Sequence, residues 1–171
     1  LDWHFMAASS DQLPVFHVVG FTGHRTLADK AGVERRMREV LTNLRDERGV
    51  EWLALSSAAA GSDLMFARTA RSVGLGWETV LPFPPAEFRR DFEEVEWREV
   101  ETLIDGAEHV RVIGERPVRE DAYLDAGMEI VNHSDLLLAV WDGEPSRGRG
   151  GTAEIVAYAR ELQRPLIIID A

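Results

Sequence analysis

The stretch Ser134-Asp-Leu-Leu-Leu-Ala-Val-Trp-Asp142, followed after a short loop by Gly150-Gly-Thr-Ala-Glu154, decides the fold. Its apolar run from Leu136 to Trp141 has the length of a strand that is buried on both faces. The glycines precede a helical pattern whose apolar positions are Ile155, Val156, Ala159 and Leu162. A buried strand that passes through a glycine-rich turn into a helix is typical of α/β proteins that hold an anion at the helix N-terminus.

Short apolar runs alternate with helical patterns along the rest of the chain. Strands are predicted at residues 15–20, 52–55, 77–81, 110–113, 136–141 and 166–169, and helices at about 33–44, 62–73, 86–104, 121–132 and 152–163. This alternation favours a mostly parallel sheet of five to six strands flanked by helices. The sequence therefore predicts an α/β fold, a single doubly wound Rossmann-like domain over residues 15–171, preceded by an N-terminal extension of residues 1–14.

Composition limits the classes of function. The chain has no cysteine, which excludes disulfides, thiolate metal sites and cysteine nucleophiles. Its five histidines lack metal-ligand spacing, so we expect no metal site. The formal charge of −11 argues against a nucleic acid or an anionic membrane as partner, although a local cradle can still hold a small anion.

No apolar run approaches the roughly 20 residues needed to span a bilayer, and the first residues lack the features of a secretory signal. We therefore expect a cytoplasmic protein. Because the sequence starts at Leu1 and stops directly after a predicted strand, we also expect it to be part of a longer polypeptide.

Ligands of doubly wound folds bind beyond the carboxyl ends of the strands, so four loops are of interest. The first loop contains Thr22, Gly23, His24 and Arg25. Gly23 allows close backbone approach, while the other three side chains can donate hydrogen bonds to an anion. The alternative is a tight turn with an arginine on the surface.

The second loop runs from Ser56 to Asp63 and consists of small residues, among them Ser57 and Gly61. Such residues leave room for a ligand in front of a helix N-terminus. The alternative is that Ser62 or Asp63 simply caps the helix.

The third loop is rich in proline and carries Phe83, an aromatic ring that can stack on a base. Alternatively, Phe83 covers the core. Glu87 and Asp91 lie at i, i+4 and could form a paired-carboxylate site, but on so acidic a helix they are interpreted as a solvated face. Tyr123 could reach the crevice as a hydrogen-bond donor, and the alternative is an amphipathic residue of the helix wall.

The fourth loop contains Asp142 and the glycine-rich turn at Gly150 and Gly151, and ends at Thr152 and Glu154. Its backbone N–H groups can converge on one phosphate, Thr152 can donate to it, and Glu154 can accept ribose hydroxyls. A glutamate in a first helical turn is also explained by the helix dipole alone. The loop lacks the lysine of the P-loop and the spacing of the dinucleotide fingerprint.

These motifs resemble the SLOG superfamily of Rossmann-like domains, which includes the lonely-guy (LOG) phosphoribohydrolases, YpsA-like proteins, the DprA core and nucleotide-sensing domains of TRPM channels. The resemblance extends from Val15 to Asp170 and rests on Val19-Gly-Phe-Thr-Gly-His-Arg25, on Ala60-Gly-Ser-Asp63 and on the stretch quoted above, which also resembles nucleoside deoxyribosyltransferases. It implies that Gly150, Gly151 and Thr152 hold phosphate, and that Glu154 faces the ribose as the candidate catalytic residue.

The chain departs from LOG enzymes at one position. Their catalytic glutamate comes three residues after the threonine, where this chain has Ile155, and Glu154 comes one residue early. One residue rotates a helical side chain by about 100°. The arginine partner of LOG enzymes has three candidates, Arg25, Arg68 and Arg147.

Two functional hypotheses follow. The first is a ligand-sensing domain that binds a nucleotide or an NAD-derived molecule such as ADP-ribose, without a cofactor, and reports to a fused or associated effector, as a monomer or a homodimer. The second is an N-glycosidase or phosphoribohydrolase of nucleoside monophosphates that uses Glu154. A scaffold with an empty crevice is the third alternative.

Overall fold

The computed structural model describes residues 13–114, 116–146 and 148–171. Within them the chain forms six strands, β1 (Val15–Gly23), β2 (Val50–Ser56), β3 (Gly76–Leu81), β4 (Val110–Val112), β5 (Leu136–Trp141) and β6 (Leu166–Asp170). The helices of the same residues are α1 (Lys30–Arg45), α2 (Ser62–Ser72), α3 (Pro85–Phe88), α4 (Glu94–Asp105), α5 (Arg119–Asn132) and α6 (Thr152–Glu161). None of these helices is long and apolar enough to cross a membrane. Residues 1–12 of the predicted N-terminal extension lie outside the described residues.

The strands form one parallel sheet in the order β4-β3-β2-β1-β5-β6. The prediction of a Rossmann-like α/β domain is thereby confirmed. The strand β1 is central, and its Gly20 pairs with Leu55 of β2 on one side and Leu137 of β5 on the other. The chain leaves β1 toward β2, β3 and β4 and then returns to the other side, so strand order reverses between β1 and β5.

Each face of the sheet is covered by its own helices. One core cluster joins α1, α2 and α4 to the sheet through side chains such as Met37, Phe66 and Trp97. The other joins α5 and α6 through Ile130, Ile155 and their neighbours. Because both faces are covered, the inner strands consist of continuous apolar runs, which is the pattern that made them recognisable in the sequence.

The predicted single helix over residues 86–104 is wrong. The chain forms α3, then a 3₁₀ turn at Arg89–Asp91, and Phe92 is extended with φ −128° and ψ 147°. Helix α4 begins afresh after Glu93, where the side chains of Glu93 and Glu96 form a reciprocal capping box. The break turns Phe88 and Phe92 toward Trp97, so that three aromatic rings pack together below the carboxyl end of β3.

Candidate functional site

A cavity of about 820 Å³ lies at the carboxyl ends of β1 and β5, where strand order reverses. Ten of the predicted site residues line it: Thr22, Gly23, His24, Arg25, Ser57, Asp63, Asp142, Gly150, Gly151 and Thr152. Three others, Gly61, Phe83 and Glu154, are not among its described lining residues. The side chains of Asp91, Arg119 and Tyr123 add a wall that the sequence analysis did not assign to a site.

Backbone hydrogen bonds fix the loop after β1. The N–H of His24 donates to the carbonyl of Val140 at 3.1 Å. The carbonyl of His24 in turn accepts from the backbone N–H of Ser62 at 3.2 Å and from its hydroxyl at 2.7 Å. The loop is therefore held between β5 and the start of α2, and Ser62 contacts the loop rather than capping its own helix.

Gly61 explains how closely these two loops approach. It has φ +86°, and a Cβ atom at this position would lie 2.2 Å from the carbonyl oxygen of Arg25. Only glycine fits this conformation and this contact without strain. Gly61 therefore affects the shape of the cavity without lining it, because its missing side chain leaves room for the backbone of Arg25.

His24 and Asp142 connect the first and the fourth loop. His24 Nε2 lies 3.1 Å from Asp142 Oδ1 and 3.3 Å from the backbone nitrogen of Asp142. The pKa of Asp142 is lowered, mainly by the hydrogen bond from the N–H of Glu144 and next by that from His24. Asp142 is thus engaged at the rim of the cavity with its own loop and with His24.

Asp63 is a buried carboxyl group in the first turn of α2 and has 9% of its surface exposed. Burial raises its pKa to about 7, against the opposing effects of the Ser57 backbone N–H and the charge of Arg25. Near neutral pH this group therefore exists in both protonation states. Asp63 and Tyr123 are the two groups of the described cavity lining whose pKa is raised strongly, and such groups are concentrated at functional sites.

The glycine-rich turn places the N-terminus of α6 against the cavity. Gly151 precedes the helix in an extended conformation, and Thr152, 6% exposed, is its first residue. The N–H groups of Thr152 and Ala153 precede the first intrahelical acceptor and are available to an anion, whereas that of Glu154 donates to the carbonyl of Gly151 at 3.1 Å. Gly150 has φ +75°, and its backbone packs so closely on α5 that a Cβ atom would lie 2.9 Å from the carbonyl oxygen of Glu120.

Glu154, which the resemblance places against the ribose, is not among the described residues that line the cavity. Its Oε2 atom accepts a hydrogen bond from the N–H of Gly150 at 2.7 Å, and the side chain borders a shallower depression on the other side of the glycine turn. The next residue, Ile155, lines the cavity instead. The rotation of about 100° per residue accounts for this, because the glutamate comes one position before the helix face that the cavity touches.

Phe83 covers the core rather than offering a face to a base. It is 5% exposed, the guanidinium of Arg119 lies 4.2 Å from its ring centroid, and Tyr123 packs edge-on at 5.9 Å. The aromatic residues that line the cavity include Tyr123 and Phe21. The interpretation of Asp91 as part of a solvated face is also wrong, because Asp91 accepts hydrogen bonds from Arg119 and Tyr123 in the cavity wall.

The arginine candidates differ in position. Arg25 lines the cavity, with its guanidinium 5.6 Å from the ring centroid of Tyr123. Arg68 lies outside and pairs with Glu99 of α4 at 2.7 Å. Arg147 lies outside the described residues. Arg149 lines the cavity and pairs with Asp121 of α5 at 2.6 Å.

Solved structures match this architecture. DNA processing protein A (DprA) from Streptococcus pneumoniae matches with a TM-score of 0.67 and 18% identity over 91% of this chain and 51% of that one. The molybdenum cofactor carrier protein of Chlamydomonas reinhardtii matches with a TM-score of 0.54 and 17% identity over 89% of this chain and 75% of that one. The chain has a SLOG-type Rossmann-like fold. The protein TM1055 shares this SLOG-type fold, with a TM-score of 0.52 and 12% identity over 88% of this chain and 72% of that one.

No family model and no curated protein sequence matches the chain. The SLOG-type fold therefore rests on structural likeness at 12 to 18% identity. The chain spans about half the length of the DprA chain that it matches.

Proposed function

We propose that the cavity binds a nucleotide or an NAD-derived molecule of the ADP-ribose kind, and that the domain is a ligand sensor. The observation that carries this proposal is the convergence of two anion-attracting features on one cavity at the switch point. These features are the first turn of α6 at Thr152 and the guanidinium of Arg25. Each of these features attracts a phosphate group. A turn that only caps a helix would not need both of them at one cavity.

Size and charge are compatible with such a ligand. A cavity of about 820 Å³ falls within the usual range of roughly 300–1,000 Å³ for small-molecule sites. The net charge of −11 disfavours long anionic polymers, but the N-terminus of α6 and Arg25 provide a local positive potential for a small anion.

The contacts of Glu154 support binding more than hydrolysis. The enzyme hypothesis assigns the catalytic carboxylate to Glu154, and this carboxylate is bonded to the N–H of Gly150 and is not among the described cavity lining. A ligand-sensing domain needs no catalytic carboxylate. In this proposal the ligand-bound state is read by a fused or associated effector.

The names of the structural neighbours indicate two different kinds of ligand. One is described as a carrier of the molybdenum cofactor and another as a DNA processing protein. The acidic charge of this chain supports the first kind of ligand, a phosphate-bearing small molecule, over DNA.

Isothermal titration with ADP-ribose, AMP and NAD tests the proposal. We expect saturable binding of at least one of them, weakened about tenfold or more by Arg25→Gln because a charge-assisted hydrogen bond is lost. Arg68→Gln is the matched control, since Arg68 pairs with Glu99 away from the cavity, and it should bind like the unmodified protein. Absence of heat with all three nucleotides at millimolar concentration overturns the proposal. Chromatography of the same mixtures reports any release of free base, which would restore the enzyme hypothesis.

A further inference from the structure

The cavity has a second polar end, formed by Asp91, Arg119 and Tyr123. The Oδ2 atom of Asp91 accepts hydrogen bonds from the Tyr123 hydroxyl at 2.5 Å and from Arg119 Nη2 at 2.7 Å. Burial, followed by the hydrogen bond to Asp91, raises the pKa of Tyr123 well above its usual range, so the phenol stays protonated and donates. Both donors converge on one oxygen of the carboxylate, which fixes its orientation.

The other oxygen of Asp91 is left for a ligand. Its Oδ1 atom accepts no hydrogen bond from the residues that the structure describes, and the side chain keeps 18% of its surface exposed in the cavity wall. A ligand that covers this oxygen removes it from water, so a ligand with a donor at that place is favoured over one that leaves the acceptor unsatisfied.

The position of Asp91 fits the base end of a nucleotide. Asp91 and the glycine turn lie at opposite ends of the Tyr123 side chain. The Tyr123 hydroxyl donates to Asp91 Oδ2 at 2.5 Å, whereas its Cβ atom is 3.4 Å from the place that a Cβ atom on Gly150 would take. The ring of Tyr123 and the guanidinium of Arg25 lie between the two ends and offer planar surfaces to a base.

We propose that Asp91 is a specificity-determining residue, which selects a ligand whose base carries an exocyclic amino group, as adenine does. The amino group would donate to Asp91 Oδ1 while the phosphate lies at the first turn of α6. This inference rests on the proposed function, since it names the base of the nucleotide that the cavity would hold.

The test compares ADP-ribose and AMP with the analogues in which adenine is replaced by unsubstituted purine. This change removes the amino group and introduces no other donor. With the unmodified protein we expect the analogue to bind about tenfold or more weakly, for whichever of the two parent nucleotides binds. With Asp91→Asn the ratio between parent and analogue should fall to about threefold or less.

Glu87→Gln is the matched control. Glu87 accepts a hydrogen bond from Arg119 at 2.5 Å, as Asp91 does, but it is not among the described residues of the cavity lining. This variant should keep the full discrimination.

Equal binding of nucleotide and analogue by the unmodified protein overturns the inference and leaves the proposed function standing, and this comparison does not depend on the folding of any variant. If a folded Asp91→Asn protein still discriminates fully between nucleotide and analogue, the inference is also overturned. Asp91 would then only orient Arg119 and Tyr123. If none of ADP-ribose, AMP and NAD binds, both the inference and its basis fail.

Discussion

The carboxylate of Glu154 accepts a hydrogen bond from the backbone N–H of Gly150 at 2.7 Å, four residues earlier in the chain. This bond closes the glycine turn against the first turn of α6. It also compensates a backbone donor that the turn would otherwise leave without a partner, and it places a negative charge near the positive end of the helix dipole. The residue that sequence reasoning placed at the reaction centre is therefore a stabilising element of the turn.

Replacement of Glu154 should affect stability more than chemistry. We expect Glu154→Ala to lower the free energy of unfolding by about 0.5–2 kcal/mol, because it removes a side-chain acceptor at a helix N-terminus. Glu154→Gln keeps an acceptor oxygen and should recover most of the loss. Urea unfolding of the three proteins measures this, and a loss in Glu154→Gln as large as that in Glu154→Ala would contradict the assigned role.

Asp63 should make stability depend on pH. Its pKa of about 7 in the folded state lies above the usual pKa of an aspartate, 3.8, so between about pH 4 and pH 7 the folded protein retains a proton that the unfolded chain has released. Stability therefore falls as pH rises through this window and is constant above it, with a total change on the order of a few kcal/mol.

The variant Asp63→Asn isolates this effect, because an amide does not ionise and can still accept from the Ser57 N–H. Its free energy of unfolding should exceed that of the unmodified protein at pH 8 by more than at pH 5. Glu101→Gln, at an exposed position of α4, provides the control and should show no such trend. An equal difference at both pH values would show that Asp63 does not titrate in this window.

Asp63 should also make the affinity for the ligand depend on pH. Because Asp63 lines the cavity, its ionisation above pH 7 repels a bound anion, and we expect ADP-ribose affinity to fall between pH 6 and pH 8. The pyrophosphate of ADP-ribose does not titrate in this range, so the ligand itself contributes no trend. Titration calorimetry at both pH values should find the dependence in the unmodified protein and a flat profile in Asp63→Asn.

Gly150 should tolerate alanine less well than another glycine of almost the same conformation. Gly49 has φ +77° and open space around it, whereas Gly150 has φ +75° and lies against α5. We expect Gly49→Ala to cost about 1 kcal/mol from backbone strain alone, and Gly150→Ala about 2 kcal/mol or more. Thermal and urea unfolding compare the two variants. Equal losses in the free energy of unfolding would show that the turn accommodates a Cβ atom at Gly150 without additional strain.

The parts of the structure that follow from local pattern were predictable. The strands β1, β5 and β6 consist of apolar runs, and the glycines before α6 mark its start, so the sheet and the edge that carries the cavity could be inferred. The break at Phe92 was missed because the residue that caps α4 is Glu93, which is a less common cap than serine, threonine or aspartate.

The wall around Tyr123 could not have been inferred in the same way. Arg119 and Asp91 are 28 residues apart, and their hydrogen bond depends on how α5 packs beside the 3₁₀ turn. Charged residues on amphipathic helices are usually solvated, and only the packing shows which ones turn inward. For Glu154 the difference between cavity and outer surface is one helical position, which is finer than pattern reasoning resolves.

The central position of β1 has a consequence for how the domain is made. The contact between His24 and Asp142 joins residues 118 positions apart, so no cavity exists until the last third of the chain has returned to pair with the first strand. Closing so long a loop is slow and entropically costly. A ligand that bridges these loops would bind the completed sheet and not a partly synthesised or partly unfolded chain. Occupancy of the cavity would therefore also report that the polypeptide has finished folding.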